Sequence, residues 1–278
     1  MDAVADATPL ASFEAKWVAA HPEFGLALRF VGESGRRAQS AFACLVYELE
    51  HAAFGIREAQ PAAIKLQWWA EEFARAAKHE ARHPLTQALA EHPGFAAVPL
   101  ALWYEVIAGA LAQRDPEPAA DRAALLDAHA VLYRPLGAIE AALFPSVDAA
   151  ASARVRALAR SLRDTATLAD ALRDGRLPLP LDLLARHRLA RGDLARTSAQ
   201  QVAALREWLR ALASEHAEVA ASGAHLGVLV AANLHADRWR ARKATRAEDP
   251  LATLNAAFGQ LPFDATWAAW RTARRSSR

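Results

Sequence analysis

The chain has 278 residues, 53% of them hydrophobic and 23% charged, enough apolar material for one substantial core. Only 12 residues are glycine, while alanine and leucine run through nearly every stretch, which favours helix and excludes an all-β fold. A formal net charge of +2 argues against a nucleic-acid footprint across a whole face, and the single cysteine, Cys44, excludes a disulfide framework and a Cys-based zinc site.

The opening stretch, MDAVADATPLASFEAKW, lacks the basic-then-apolar pattern of a secretory signal, so the expected location is cytoplasmic, with peripheral membrane contact allowed. Nowhere does an apolar run approach the roughly 20 residues of a spanning helix. Residues 34–54 carry Phe42, Leu45, Leu49 and Ala53 at helical spacing, with Ser34 as the expected N-cap and Cys44 on the apolar face. Pro61 opens the next helix, which is expected to run to the His83-Pro84 break. Within it Trp68 and Trp69 point about 100° apart, so one is expected in the core and the other at a cavity or surface. His79-Glu80-Ala81-Arg82-His83 matches the H-E-x-x-H pattern of zinc proteases. Pro84 should disrupt the two-histidine helix face, so no zinc is expected there.

Further helices are expected at residues 97–113 and, after the linker QRDPEPAADR, at 121–143 with a kink at Pro135. Ser146 is the expected cap of a long helix reaching Asp174, stopped by Gly175 and kept from resuming by Pro178 and Pro180. Along it Leu158, Leu162, Thr165, Ala169 and Leu172 form an apolar stripe, opposite Arg163, Thr167, Asp170 and Asp174. That polar face suits either solvent or a polar cavity. Thr197 and Gln200 have capping-box spacing ahead of a helix to about residue 221, followed by others near 224–241, 248–258 and 264–274. Basic residues gather at Arg238, Arg240, Arg242, Lys243 and Arg246, and again at Arg271, Arg274, Arg275 and Arg278; such clusters suit phosphate or a solvated face. No internal repeat is present. One domain over residues 1–278 is expected, with 1–20 and 271–278 peripheral.

Three segments carry a family resemblance: Arg36-Arg37-Ala38 leading into AFACLVYELEH; IKLQWWAEEF followed by HPLTQAL; and SLRDTATLADALRDGRLPLPLDLLARH. Together they resemble the squalene/phytoene synthase family, the all-α isoprenoid synthases that join two prenyl diphosphates head to head. The resemblance implies a single-domain helical bundle in which residues 34–54 and 146–174 face one another across a central cavity. It also implies Mg²⁺ held between facing acid pairs, and a prenyl diphosphate or other isoprenoid lipid as ligand, with no nucleic acid. Both acid pairs are eroded. The first motif falls on Glu50, His51 and Phe54; the second gives Asp164 with Leu168 in one register, and Thr167 with Ala171 in the other. Asp170 and Asp174 have the i, i+4 spacing but lie three residues late, about 4.5 Å along the axis. On the catalytic reading Asp164, Asp170 and Asp174 do the acid work, Asp170 and Asp174 hold Mg²⁺, and Glu50, Arg163, Thr167 and Arg176 meet substrate. The alternative is a non-catalytic lipid-binding or assembly protein, as in the family branch that includes a mitochondrial complex I assembly factor.

Overall fold

The computed structural model describes residues 9–276, and every regular element among them is helical. Chain order begins with α1 (Pro9–Ala20) and α2 (Pro22–Ala27), two short helices separated at the residue before a proline, where α geometry is disfavoured. Residues 9–20, expected at the periphery, bury Trp17 and stack it on Phe24 at 4.8 Å. The first eight residues lie outside the described part.

Helix α3 (Glu33–Glu50) starts from Gly32, not Ser34, and runs into a π-helical turn, His51–Gly55. Arg114 donates to the carbonyls of Ala53 (3.2 Å) and Arg57 (2.9 Å), which satisfies acceptors that the turn leaves over. Helix α4 (Ala59–Ala76) stops well before the His83-Pro84 break. There the chain turns through His79 at φ 62°, and the amide of Glu80 donates back to the Arg75 carbonyl at 2.9 Å, a left-handed stop normally built on glycine. Buried Glu72 fixes the turn, its Oε1 accepting from the amides of Arg82 (2.7 Å) and His83 (2.8 Å). His83 then caps α5 (Pro84–Ala90), accepting from the Leu85 amide at 3.2 Å. Thus His79 and His83 share no helix face, and the H-E-x-x-H spelling has no helical geometry behind it.

Helix α6 (Leu100–Ala112) packs on α7 (Arg122–Leu143), which is capped by Asp121 and continues through Pro135. Helix α8 (Ala149–Ala166) is capped by Asp148 in place of Ser146. It lies close on α7 because Gly137 has no Cβ: one built there would collide with the Ala149 carbonyl oxygen and lie 3.2 Å from the Ala153 Cβ. The long helix expected to Asp174 is broken at Thr167 (φ −105°, ψ 34°), leaving a separate α9 (Leu168–Arg173). The Thr167 hydroxyl donates to the Arg163 carbonyl at 3.1 Å, a local bond that competes with the helix ladder. Gly175 at φ 81° then ends α9 as expected.

After Pro180 come α10 (Leu181–Arg186) and α11 (Ala199–Ala221), the latter capped by Ser198, one residue beyond the expected Thr197. Helices α12 (Val228–Thr245), α13 (Pro250–Ala257) and α14 (Ala265–Ser276) complete the bundle. Leu45, Leu49, Leu66, Leu132, Leu136, Leu158, Leu162, Leu209 and Leu212 are fully buried in one continuous core. Trp69 and Cys44 sit within it, while Trp68 remains 39% exposed. Burial pushes the Cys44 thiol up to about 12, as suits a small core residue.

Candidate active-site cavity

A cavity of about 110 Å³ lies between α3 and α8, the two helices expected to face each other, with α7 and the start of α12 closing its sides. Its apolar wall includes Phe42, Val46, Phe144, Val228 and Leu229. Three arginines of α8, Arg156, Arg160 and Arg163, line the opposite side at i, i+4 and i+7, one face of that helix.

Each arginine has a different partner. Arg156 donates to Glu140 at 2.9 Å, while its buried Nε has no hydrogen-bond partner among the described residues. Arg160 grips Asp164 with two guanidinium nitrogens, one of them at 2.8 Å, and lies over the Phe54 ring at 4.1 Å. Arg163 meets His21 Nδ1 at 3.1 Å and the Phe258 ring at 4.8 Å, and among the described residues no carboxylate pairs with it. Asn233, also on the cavity wall, has a buried side-chain oxygen without a partner among the described residues.

Asp164 is buried at the centre of a closed network. Besides Arg160 it accepts from Arg176 at 3.1 Å, and His129 Nε2 stands 3.9 Å away. Burial alone would raise its pKa, yet the charge and hydrogen bonds of Arg160 hold it below the ordinary carboxylate range. Burial drives His129 down to about 4 against the opposing pull of Asp164, so at neutral pH this imidazole is uncharged. Its Nδ1 pairs with Gln113 at 3.1 Å. Glu50 accepts from the Tyr133 hydroxyl at 2.9 Å, and burial first, then the Glu50 charge, pushes that phenol well above its usual range.

The other sequence-predicted residues lie apart from this centre. Asp170 is half exposed and paired with Arg173. Asp174 pairs with Arg57 at 3.3 Å and more loosely with Arg176 at 3.9 Å. Thr167 is engaged with the backbone of α8. Arg176 therefore links Asp164 to Asp174, whereas Asp170 joins neither. Among the described residues no three His, Cys, Asp or Glu side chains converge as metal ligands would.

A family profile described as squalene/phytoene synthase matches residues 18–247. The chain belongs to the squalene/phytoene synthase family. Among solved structures, a dehydrosqualene synthase in complex with ligand is similar with a TM-score of 0.63 at 14% identity, over 90% of this chain and 95% of that one. The squalene synthase HpnC from Alicyclobacillus acidocaldarius aligns with a TM-score of 0.60 at 17% identity, over 91% and 97% of the two chains. At such identities the likeness speaks for the shared all-α fold. No curated protein matches the chain.

Within this squalene/phytoene synthase-family chain, both registers of the second acid motif end in apolar surroundings. Leu168 and Ala171 are buried at 1% and 0% exposure in apolar packing, where an ionised carboxylate would lack a partner. Phe54 offers its ring to Arg160. Arg163 was among the expected substrate residues; those that sequence reasoning missed are Arg156 and Arg160, together with Tyr133, Glu140 and Asn233. A signal for the cations was present, because Arg156, Arg160 and Arg163 repeat at helical spacing. The surface and cavity readings of that spacing are identical until α3 and α12 are placed.

Proposed function

We propose that this squalene/phytoene synthase-family protein binds a prenyl diphosphate or related isoprenoid lipid in the α3–α8 cavity, using arginine in place of Mg²⁺ and without prenyl transfer. The observation that carries the reading is the state of the acids. Mg²⁺ asks for carboxylate oxygens in near-octahedral geometry, and the residues present do not fit it. Asp164 is taken by Arg160 and Arg176, Asp174 by Arg57, Asp170 by Arg173, and Glu50 by Tyr133. Freeing Asp164 for a cation would strand two guanidiniums in a buried site, an expensive exchange.

What the cavity offers instead is an amphiphile site. The apolar wall, in a cavity of about 110 Å³, suits the head-proximal part of a prenyl chain. Arg163, whose charge no carboxylate among the described residues balances, supplies donors for a phosphate oxygen. The chain's own residues thus bind and orient an anionic head and exclude water from the tail.

Calorimetry with farnesyl diphosphate, in Mg²⁺ and in EDTA, tests this. The expected result is equal affinity in the two buffers, and roughly tenfold weaker binding in Arg163→Gln, since a charge-assisted hydrogen bond contributes about 1.5–3 kcal/mol. Binding that appears only with Mg²⁺ would overturn the proposal.

A further inference from the structure

Helix α14 is built inside out. Its inward face carries Ala268 and Ala269, exposed at 8% and 2%, while Trp267 and Trp270 remain 54% and 40% exposed. Together with Arg271 and Arg274 these indoles occupy i, i+3, i+4 and i+7, a single outward stripe. Each guanidinium lies over the indole one turn before it, Arg271 over Trp267 at 4.1 Å and Arg274 over Trp270 at 4.8 Å. Just ahead of the helix, Phe263 is 99% exposed. A folding chain normally buries side chains of this size, because aromatic residues dominate core energetics. Their placement outside, on a helix whose small residues face in, calls for a partner.

Beside the stripe runs a groove of about 410 Å³ between the end of α11, α12 and α14. Val219, Leu226 and Leu234 give it an apolar floor, and Arg238 and Arg271 line it. Among the described residues neither arginine has a carboxylate within salt-bridge distance. The neighbouring acid, Asp264, is engaged by His235 at 2.9 Å. Exposed Arg242 extends the positive surface along α12.

We propose that this face docks on an anionic membrane surface, Phe263, Trp267 and Trp270 entering the headgroup–acyl boundary while Arg238, Arg271 and Arg274 meet lipid phosphates. Paired rings and cations on one helix stripe are the chemistry of that boundary, where an amphipathic ring sits at headgroup depth and arginine gains from negative surface potential. Size argues the same way. A 12-residue helix is about 18 Å long, so its stripe falls far short of the roughly 800 Å² per partner of a stable protein interface, whereas a membrane needs only a few anchors. The proposal is independent of what the cavity holds.

Sedimentation of the full chain with phosphatidylcholine vesicles, pure or with one third phosphatidylglycerol, tests it. Partitioning should be at least about tenfold stronger on the anionic vesicles and should weaken with salt, given about 1 kcal/mol per basic residue near such a surface. The double variant Arg271→Gln/Arg274→Gln should lose about tenfold or more with unchanged thermal melting, because it alters only solvent-facing groups. Trp267→Ala/Trp270→Ala should lose binding to both vesicle types, and the control Arg134→Gln on α7 should behave as wild type. Equal binding to neutral and anionic vesicles, binding to neither, or a self-association abolished by the tryptophan variant would each overturn the proposal, the last pointing to a second copy of the chain.

Discussion

Asp164 concentrates the residue-scale physics of this protein. A carboxylate buried among Arg160, Arg176 and His129 is tolerable only because hydrogen-bonded guanidiniums balance it. Asp164→Asn should therefore destabilise by about 3–5 kcal/mol, the usual result of breaking a buried pair from one side. Denaturant melts check this, and a loss below about 1 kcal/mol would show that the network does not depend on its acid. A second buried cluster joins Glu23 to Arg240 at 2.9 Å, with Arg240 also held by Asp237 at 2.7 Å. Burial opposes ionisation of Glu23, but the His21 hydrogen bond and the Arg240 charge hold it down to about 2, from an ordinary 4.5. Because the unfolded chain takes up its proton first, the stabilisation is complete above about pH 5 and fades as pH falls toward 2, by about 3 kcal/mol. Melts of wild type and Glu23→Gln across that window should diverge at pH 5 and converge near pH 2; parallel curves would count against the assignment.

Elements were legible where the signal is local. Gly175 and the apolar spacing of α3 can be read from the chain, because caps and periodicity act within a turn or two. Other boundaries depend on distant or competing groups. Helix α4 ends early because Glu72 captures amides ten and eleven residues on, and α8 breaks at Thr167 although its composition favours helix. Helices α1, α2, α5 and α10 are short enough that little periodicity accumulates. Two glycines separate backbone conformation from close approach. Gly175→Ala meets no atom within 4 Å and should cost only the left-handed penalty, about 1 kcal/mol. Gly137→Ala drives a methyl into the Ala149 carbonyl and should cost about 2 kcal/mol or more by forcing α7 from α8. Thermal melts that rank the two equally would refute the close-packing account of that pair.

At the scale of the whole molecule, the all-α fold and the facing of α3 and α8 follow from three short segments of sequence, and the family profile over residues 18–247 agrees. The erosion of the acid positions was also readable. What the chain could not disclose is how the remaining charges pair. Asp164 and Arg176 meet across 12 residues, and Tyr133 reaches Glu50 across 83; such partners exist only once helices pack. The consequence is a cavity whose polar side is cationic and whose acids are spent, which the proposed function makes a binding site without metal chemistry. Metal stabilisation of a departing phosphoryl group contributes several kcal/mol, so its loss should cost roughly three orders of magnitude in rate or more. Diphosphate release by the purified chain, given farnesyl or geranylgeranyl diphosphate with Mg²⁺, tests this most directly. Release should be no faster than in the absence of protein, in samples where calorimetry registers binding. Robust Mg²⁺-dependent release, abolished by Asp170→Ala or Asp174→Ala, would contradict it.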